Sequence, residues 1–472
     1  MPVTAHYRPD PLFEKLGPEF ADPVAAAQFP QRVLRWRNQA WAAHVGLDEL
    51  IDAEWEAHFA RFEPLPANMP APLAMRYHGH QFRTYNPEIG DGRGFLFAQM
   101  RDDQGRLLDL ATKGSGQTPY SRFGDGRLTL KGGVREVLAA QMLEALGVYT
   151  SKAFSLFETG EALTRGDEPS PTRSSVLVRL SHSHIRFGTF QRLAFFERPD
   201  LIHTLIEHAC AAYHPQHANL AGEARAAALF GEVVEANARL AASWMVAGFV
   251  HGVLNTDNLN ITGESFDYGP WRFTPTSDPS FTAAYFDETG LYAFGRQPEA
   301  VSWALAQLGG ALSLVCPAPD LETGLRRFVP AYQTALRAAL FRRLNLTPGD
   351  FEADLEFTSA VFGWLTESQA GSDQFFHDWY CGAASTARAA ESPQAALYAT
   401  SAFVPVRAGL EARTRSGTED LLERPYFQRA APHTMLIDEV EALWSPVAER
   451  DDWSLFQAKL AQVAELRAAL GN

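Results

Sequence analysis

The sequence predicts an α+β fold with two lobes, a strand-containing lobe followed by a larger helical one. Its 472 residues suffice for two to four lobes of roughly 100–200 residues each. Ten of the 35 glycines fall between Gly90 and Gly133, in a stretch whose alternating apolar segments are typical of strands. Beyond about residue 195, Ala-rich segments with apolar residues at helical spacing replace these strand signals. A cleft is expected between the two lobes.

The predicted elements of the first lobe are strands around one amphipathic helix. Alternation predicts strands over Phe95–Met100 and Leu107–Lys113, and helical spacing of apolar residues predicts a helix over Arg135–Leu146. A short strand is predicted over Ser175–Leu180. The predicted helices of the second lobe are Leu201–Tyr213, Gly222–Val250, Gly324–Leu344 and Trp453–Leu470.

Three regions are expected along the chain. Residues 1–65 are predicted to form a helical N-terminal extension, and the Pro-rich segment 62–72 is predicted to be a linker. The strand-containing lobe then covers residues 66–194, and the helical lobe covers residues 195–472.

Composition and charge exclude several classes of protein. The net charge of −15 argues against a nucleic-acid binder, whose electrostatic footprint would be basic. Cys210, Cys316 and Cys381 are too scattered for a disulfide framework or a zinc cluster. The first residues lack the apolar core of a signal peptide, and prolines and glycines interrupt the longest uncharged run, 300–319. We expect a cytoplasmic protein that does not bind membranes.

Three motifs of the first lobe occur in the order that protein kinases use. Gly90-Asp-Gly-Arg-Gly94 has glycines that let backbone amides approach phosphate oxygens, although the pattern also occurs in simple turns. Lys113 ends a predicted strand, as the phosphate-binding lysine of kinases does. Glu136 follows 23 positions later, which suits a lysine–glutamate pair but also an ordinary glutamate at a helix start.

The strongest local signal lies in the second lobe. His251 and Asn258 are seven positions apart, as in a kinase catalytic loop, and Asp267-Tyr-Gly follows where kinases have a metal-binding Asp-Phe-Gly. Asn258 and Asp267 offer oxygen ligands of the type that a hard divalent cation prefers. The kinase base is missing, because Val253 occupies its position, and Asp257 stands directly before the asparagine. Together these motifs predict a nucleotide site.

Further side chains are candidates for phosphate contacts. Arg179 and Arg186 follow the last predicted strand of the first lobe, and guanidinium groups bind phosphate bidentately. Surface ion pairing is the alternative for both arginines. Asp125 and Gly126 form either a simple turn or a second glycine loop with a polar nucleotide contact.

Two histidine pairs invite a metal interpretation that the sequence does not favour. His78 and His80 form one pair, and His182 and His184 form the other. Neither pair has a Cys or His partner at zinc spacing. Hydrogen-bonded structural histidines are therefore the favoured interpretation.

Long blocks between about residues 70 and 300 resemble the selenoprotein O family. The blocks are Tyr77–Phe82, Gly90–Arg93, Lys113–Arg122, Gly124–Arg127, Arg135–Glu136, Ser183–Arg186, Asn255–Asn258, Asp267–Pro270 and Tyr292–Gly295. Arg83 and Tyr85 depart from the residues usual in that family, which indicates a divergent, bacterial-type member. No cysteine follows Cys381, so the C-terminal cysteine or selenocysteine element of many members is missing.

The resemblance implies a protein-kinase-like fold that transfers AMP from ATP to Ser, Thr or Tyr hydroxyls of proteins and releases pyrophosphate. It also implies that ATP is bound flipped relative to kinases, with Mg or Mn as the metal. In this resemblance, Lys113 contacts the phosphates and Glu136 orients that lysine. Asp257 accepts the proton, and Asn258 and Asp267 bind the metal. The residues implied to contact the nucleotide are Gly90, Gly92, Arg93, Asp125, Gly126, Arg179, Arg186 and Asp267.

Three other functions stay open at this point. A kinase that transfers the γ-phosphoryl group is disfavoured by Val253, which stands where the acidic base would be. A non-catalytic nucleotide-binding scaffold of the pseudokinase type is disfavoured by the intact set of Lys113, Glu136, Asn258 and Asp267. Transfer of UMP instead of AMP is the third alternative.

Overall fold

The computed structural model describes residues 3–166, 168–417 and 421–471. Its strands are β1 (Arg8–Pro9), β2 (Ala21–Pro23), β3 (Val33–Arg37), β4 (Leu73–Met75), β5 (Gly79–Gln81), β6 (Thr84–Asn86), β7 (Leu96–Arg101), β8 (Leu107–Lys113), β9 (Leu128–Thr129), β10 (Lys152–Leu163), β11 (Thr172–Ser181), β12 (Phe249–Val250) and β13 (Arg272–Phe273). Its α-helices are α1 (Gln39–His44), α2 (Asp52–Phe59), α3 (Leu130–Ala145), α4 (Phe187–Phe195), α5 (Pro199–Tyr213), α6 (Gly222–Ala247), α7 (Gln297–Leu312), α8 (Ala318–Leu325), α9 (Phe328–Leu344), α10 (Phe351–Ser368), α11 (Ser372–Asp378), α12 (Thr386–Ala390), α13 (Ala395–Tyr398), α14 (Val404–Glu411), α15 (Ile437–Arg450) and α16 (Ser454–Leu470).

An antiparallel sheet organises the first half of the chain. The order of its main strands is β2-β4-β7-β8-β11-β10-β3, with β1 paired to β7 and β9 paired to β11. In the register of β8 and β11, Lys113 lies opposite Leu177 and Arg179 lies opposite Ala111. Because side chains alternate along a strand, Lys113 and Arg179 project from the same face of the sheet. The strand pairing thus brings two basic side chains together.

Apolar side chains cover both faces of this sheet. On one face, α3 buries Val134, Val137 and Leu138 in the largest apolar core. On the other, Trp55 of α2 stacks on Phe154 of β10, with ring centroids 5.2 Å apart. Burial on both faces explains why β8 is apolar or buried along its whole length.

The N-terminal extension is not purely helical, so that expectation is wrong in part. Residues 1–65 contain the expected helices α1 and α2, but they also contain β1, β2 and β3, which join the main sheet. These strands are only two to five residues long, and alternation over so few positions gives little signal in the sequence. No helix or strand lies between α2 and β4, where the linker was expected.

Helix α3 begins at Leu130, five residues before the predicted start at Arg135. The Thr129 side chain caps it by accepting a hydrogen bond of 3.1 Å from the amide of Gly132. This position within the helix needs glycine, because a Cβ on Gly133 would lie 2.5 Å from the Leu156 side chain of β10. Glycine lowers helix propensity, so the sequence pattern places the start too late.

The second half of the described chain is mainly helical. Helix α6 ends at Ala247, and the chain then enters β12, so the helix predicted to reach Val250 is three residues too long. The predicted helix over Gly324–Leu344 is divided into the end of α8 and α9. Within the described residues, we find no helix that is both long and apolar enough to cross a membrane.

The last two helices return to the strand-containing half of the molecule and pack on α3. Lys131 of α3 forms an ion pair of 2.7 Å with Glu441 of α15. Arg467 of α16 contacts the carboxylate of Glu144 near the other end of α3. Helix α3 is therefore held between the sheet and the C-terminal helices.

Candidate active site

An open cavity of about 640 Å³ lies where loops of the sheet meet residues 257 and 267 of the helical half. Such a cleft between two parts of a fold is a common place for a ligand. Ten of the twelve predicted site residues line it: Gly90, Gly92, Arg93, Lys113, Asp125, Gly126, Arg179, Arg186, Asp257 and Asp267. Of the other two, Glu136 contacts the lining residue Lys113, and Asn258 follows the lining residue Asp257 in the chain.

Lys113 is buried at the end of β8, and its ammonium group contacts two carboxylates. Nζ contacts the carboxylate of Glu136 on α3 and lies 2.7 Å from Oδ1 of Asp267. Glu136 is buried as well, so the pair is shielded from solvent screening. The predicted lysine–glutamate pair is therefore present, and it includes Asp267 as a third member.

Asp267 collects three cationic side chains. Besides Lys113, Arg179 approaches Oδ1 at 3.3 Å and Arg186 approaches Oδ2 at 3.8 Å. Burial raises the pKa of a carboxyl, but the three cations outweigh it and hold the pKa of Asp267 well below its usual range. Its backbone has φ of 64°, a left-handed conformation that is uncommon outside glycine and marks a constrained site.

Asp257 lies in a short 3-10 turn, Thr256–Asn258, and differs from Asp267 in its environment. Burial raises the pKa of its carboxyl to about 6, against the opposing effect of the Arg186 charge. Within the described residues, its buried Oδ1 atom has no hydrogen-bond partner. A buried acceptor without a donor is costly, which suits a carboxylate that awaits a proton from a ligand.

Asn258 is not among the described residues that line the cavity. Nδ2 of Asn258 donates a hydrogen bond of 2.9 Å to the carbonyl oxygen of Val253. This bond uses the side-chain nitrogen, whereas a cation would bind the side-chain oxygen Oδ1. The residue follows Asp257 directly in the turn. The metal-binding role that the sequence predicts for Asn258 stays a prediction.

A hairpin formed by β5 and β6 fixes the turn that carries Asp257. The amide of His80 donates to Oγ1 of Thr256 at 2.7 Å, and the amide of Phe82 donates to Oδ1 of Asn255 at 3.0 Å. A Cβ on Gly79 would lie 3.1 Å from Oδ1 of Asp257. The hairpin thus positions the turn from the side of the sheet.

The first glycine loop packs closely on a tyrosine that sequence reasoning did not select. A Cβ on Gly90 would lie 2.5 Å from the Tyr120 ring, so only glycine fits under that ring. The Tyr120 hydroxyl in turn contacts the carboxylate of Asp22 on β2. Tyr120 and the glycine loop therefore form one continuous wall of the cavity.

The cavity is positive although the chain is acidic. Of the described residues that line it, seven are basic and four are acidic, against a net charge of −15 for the whole chain. A cleft lined mainly by one sign of charge concentrates ligands of the opposite sign. The electrostatics suit an anion with several charges, such as a polyphosphate.

Several lining residues were missed by the sequence predictions. Arg165 reaches the cavity from the loop between β10 and β11 and binds the Asp125 carboxylate at 2.8 Å. Arg122 and Tyr120 belong to a block that resembles the family, and that resemblance is the one feature of the sequence that could have indicated their place in the site. Arg165 has no such signal, because its contact with Asp125 spans 40 residues.

The histidines are hydrogen-bonded, as expected. The ring of His78 bonds the Tyr85 hydroxyl at 2.8 Å, and the His80 ring bonds Gln191 at 2.9 Å. His182 bonds Tyr149 at 2.5 Å, and His184 bonds Asp109 at 3.2 Å. In the part of the chain that the structure describes, no group of three or more His, Cys, Asp or Glu side chains is placed to hold a metal ion.

The donor atoms around Asp267 nevertheless fit a hard divalent cation that is shared with a ligand. The Asp267 side chain keeps 24% of its surface exposed toward the cavity, and the buried Oδ1 of Asp257 lacks a partner among the described residues. Mg²⁺ and Mn²⁺ prefer oxygen ligands, and Mg²⁺ commonly binds one or two carboxylates together with substrate phosphates. The carboxylates of Asp257 and Asp267 supply oxygen ligands of the type that such a cation prefers.

Comparison with known proteins gives a consistent result along the chain. A family model described as "Protein adenylyltransferase SelO" matches residues 3–464. A "Protein nucleotidyltransferase YdiU" from Gloeobacter violaceus is 46% identical over 455 residues, which is 95% of this chain and 93% of the relative. A relative of the same name from Synechocystis sp. is 43% identical over 463 residues, which is 95% of this chain and 96% of the relative. Another from Synechococcus elongatus is 53% identical over 348 residues, which is 73% of this chain and 68% of the relative.

Proposed function

The chain belongs to the SelO family of protein adenylyltransferases, and we propose that it transfers AMP from ATP to Ser, Thr or Tyr hydroxyls of other proteins. It is a protein nucleotidyltransferase, as its relatives are named over nearly its whole length. ATP as the nucleotide, side-chain hydroxyls as the acceptor groups and the roles of the individual site residues are the parts that we propose. It also includes a kinase-like, two-lobed arrangement around the cavity.

One observation carries the assignment of residues: Asp257 and Asp267 share one cavity, but the pKa values of their carboxyl groups are shifted in opposite directions. Cations hold the pKa of Asp267 low, so this carboxylate stays negative and suits a metal. Burial raises the pKa of Asp257 to about 6, which suits a carboxylate that takes up a proton near neutral pH. Two carboxyl groups with separated pKa values indicate two different roles.

The reaction that these residues support is a displacement at the α-phosphorus. The acceptor hydroxyl oxygen forms a bond to that phosphorus, and the bond from the phosphorus to the bridging oxygen of pyrophosphate breaks. Asp257 takes the hydroxyl proton, and pyrophosphate leaves with the bonding electrons. Lys113, Arg179 and Arg186 stabilise the charge on the phosphate oxygens, so the protein acts mainly by positioning and charge stabilisation.

Asp267, with Asn258 beside it, would hold a divalent cation of the Mg or Mn type. Bound there, the cation would neutralise part of the phosphate charge. The family resemblance supports Asn258 in this role, and the oxygen chemistry of both side chains suits it. Lys113 would then pass from Asp267 toward the phosphates while Glu136 keeps it in place.

The experiment that tests the proposal compares nucleotides on the purified full chain. With ATP and Mg²⁺ or Mn²⁺, intact mass spectrometry of the chain and of added bacterial proteins is expected to show AMP additions that Asp257→Ala abolishes. UMP additions from UTP with no AMP additions from ATP would assign UMP transfer instead. Nucleotide binding without any addition to protein would favour the non-catalytic scaffold.

A further inference from the structure

A second open cavity, of about 530 Å³, adjoins the first one. Four basic side chains line both cavities: Arg93, Lys113, Arg127 and Arg165. The rest of its wall comes from the start of α3 and the two residues before it, the acids Glu168 and Glu441, the segment that follows Asp267, and Ala283 with the aromatic residues Tyr285 and Phe286. Tyr285 is 83% exposed and Phe286 is 47% exposed, so both stand at the rim of the cavity.

Two arginines of this second cavity share one backbone acceptor. Nη2 of Arg135 donates to the carbonyl oxygen of Trp271 at 3.0 Å, and Nη1 of Arg272 donates to the same oxygen at 2.9 Å. Nη1 of Arg272 also lies 2.8 Å from the carbonyl oxygen of Pro270. The Arg135 guanidinium lies over the Trp271 ring, 4.7 Å from its centroid. Two positive groups are thus held side by side.

No ion pair with a carboxylate is formed by either arginine within the described residues, unlike Arg127, Lys131 and Arg165. Glu441 is the acid whose charge acts on both, but it is bound to Lys131 at 2.7 Å. Burial lowers the pKa of Arg135, and the positive charge of the neighbouring Arg272 lowers it further, because like charges repel one another. The first turn of α3 lacks acidic residues too, although the start of a helix favours negative charge. Of the described residues that line the second cavity, seven are basic and three are acidic, so the cavity is net positive and suits an anionic ligand.

We propose that this cavity receives an acidic side chain of the acceptor protein, bound by Arg135 and Arg272. The acceptors would then be proteins that carry Asp or Glu close to the hydroxyl that is modified. This inference rests on the proposed function, since it names the acceptor class of that same site.

The two cavities divide the ligands between them. Asp257, Asp267, Arg179 and Arg186 line the first cavity and are absent from the described lining of the second, so the nucleotide phosphates belong to the first. A guanidinium pair matches a carboxylate in shape and charge. The exposed aromatic side chains at the rim offer apolar contact to a polypeptide segment beside that carboxylate.

The test measures binding of fluorescent peptides to the full chain by anisotropy, with and without ATP. Three peptides share a central Ser and Tyr and differ only in flanking Glu, Gln or Lys residues. We expect the Glu peptide to bind about tenfold more tightly than the Gln peptide, as one charge-assisted contact provides. Arg272→Gln should remove most of that difference, and Arg272→Glu should shift the preference to the Lys peptide.

Arg342→Gln is the matched control. Arg342 also donates to a backbone carbonyl, that of Gly147 at 3.1 Å, and forms no ion pair within the residues described, but it lies on α9 away from both cavities. This variant should keep the preference for the Glu peptide. Melting temperatures of all variants check that each one folds.

Three results would overturn the inference. Equal binding of the three peptides would do so, as would a preference for Glu that survives Arg272→Glu. Loss of ATP affinity in Arg272→Gln with unchanged peptide preference would assign the arginines to the nucleotide. Binding of the Glu peptide that depends on Arg272, in a chain that transfers no AMP, would support the docking site and refute the proposed function, so the two failures are distinguishable.

Discussion

The ammonium group of Lys113 lies between the carboxylates of Glu136 and Asp267, with Nζ 2.7 Å from Oδ1 of Asp267. Lys113 therefore neutralises the charge of Asp267, the carboxylate that is expected to hold the metal. A metal ion and phosphates bound in the cavity would compete for both groups, so ligand binding must exchange one set of charges for another. We expect Glu136 to keep its contact with Lys113 in that exchange, because α3 is held between the sheet and the C-terminal helices.

The first prediction concerns that pair. Lys113→Ala, Glu136→Ala and the double variant should each lose AMP transfer by a similar factor, roughly a hundredfold or more, because residues that act as one unit are not additive. The measurement is the initial rate of AMP incorporation at saturating ATP. Lys459→Ala, which breaks an ion pair of 3.2 Å with Glu439 far from the site, is the control and should keep the rate. Losses that multiply in the double variant would mean that the two residues act separately.

The second prediction concerns metal binding by Asp267. Asp267→Asn should abolish metal-dependent ATP binding, since the substitution removes the carboxylate charge that a divalent cation requires. Mn²⁺ bound in the presence of ATP, measured by electron paramagnetic resonance, reports this directly. Asp278→Asn changes a half-buried acid that accepts a hydrogen bond from Ser280 and does not line the cavity, so it should leave Mn²⁺ binding intact. Undiminished Mn²⁺ binding in Asp267→Asn would contradict the assignment.

A third prediction concerns the close contact below Tyr120. Gly90→Ala should weaken ATP binding about tenfold or more, because the added methyl group would lie 2.5 Å from the Tyr120 ring and must push it from the cavity wall. Equilibrium dialysis of labelled ATP measures the effect. Gly310→Ala is the control, because it lies in α7 with no atom within 4 Å of the added Cβ. Normal ATP affinity in Gly90→Ala would refute the role of this wall.

The fourth prediction concerns the buried Glu264. Burial raises the pKa of its carboxyl to about 8, against the charge of Lys152. Because the folded pKa lies above the ordinary value of 4.5, the folded chain binds the proton more tightly, and the stabilisation is lost as the pH rises from about 4.5 to about 8. Glu264→Gln removes this dependence, since the amide stays neutral.

The measurement for Glu264 is the free energy of unfolding by urea at several pH values. Relative to Glu264→Gln, the unsubstituted chain should lose stability between pH 5 and pH 9, by about 1.4 kcal/mol for each unit of pKa shift. Glu88→Gln, at an exposed position, serves as the control. A difference between the chain and Glu264→Gln that does not change with pH would contradict the prediction.

Residues in motifs of fixed spacing were predictable from the sequence. Lys113, Asp257 and Asp267 each have a recognisable neighbourhood, and all three line one cavity. Contacts that bring distant segments together gave no such signal. The hydrogen bond from His80 to Thr256 spans 176 residues, and nothing in either segment alone indicates it.

The fold was predictable to the extent that local patterns determine it. The strand over Leu107–Lys113 has the predicted bounds, because its apolar residues give a clear local pattern and the whole strand is buried. The start of α3 was misplaced, because packing of Gly133 on Leu156 outweighs the low helix propensity of glycine. The strands of the first 65 residues were missed, because pairing with the sheet rather than their own pattern makes them strands.

The most direct test of the central claim uses ATP labelled at the α- or the γ-phosphorus. The full chain is incubated with each label, a divalent metal and a mixture of acceptor proteins, and label on protein is compared with label in pyrophosphate. The α-label should appear on protein and the γ-label in pyrophosphate, and Asp257→Asn should lose the protein signal. Retention of the γ-label on protein without the α-label would show a kinase and would contradict AMP transfer.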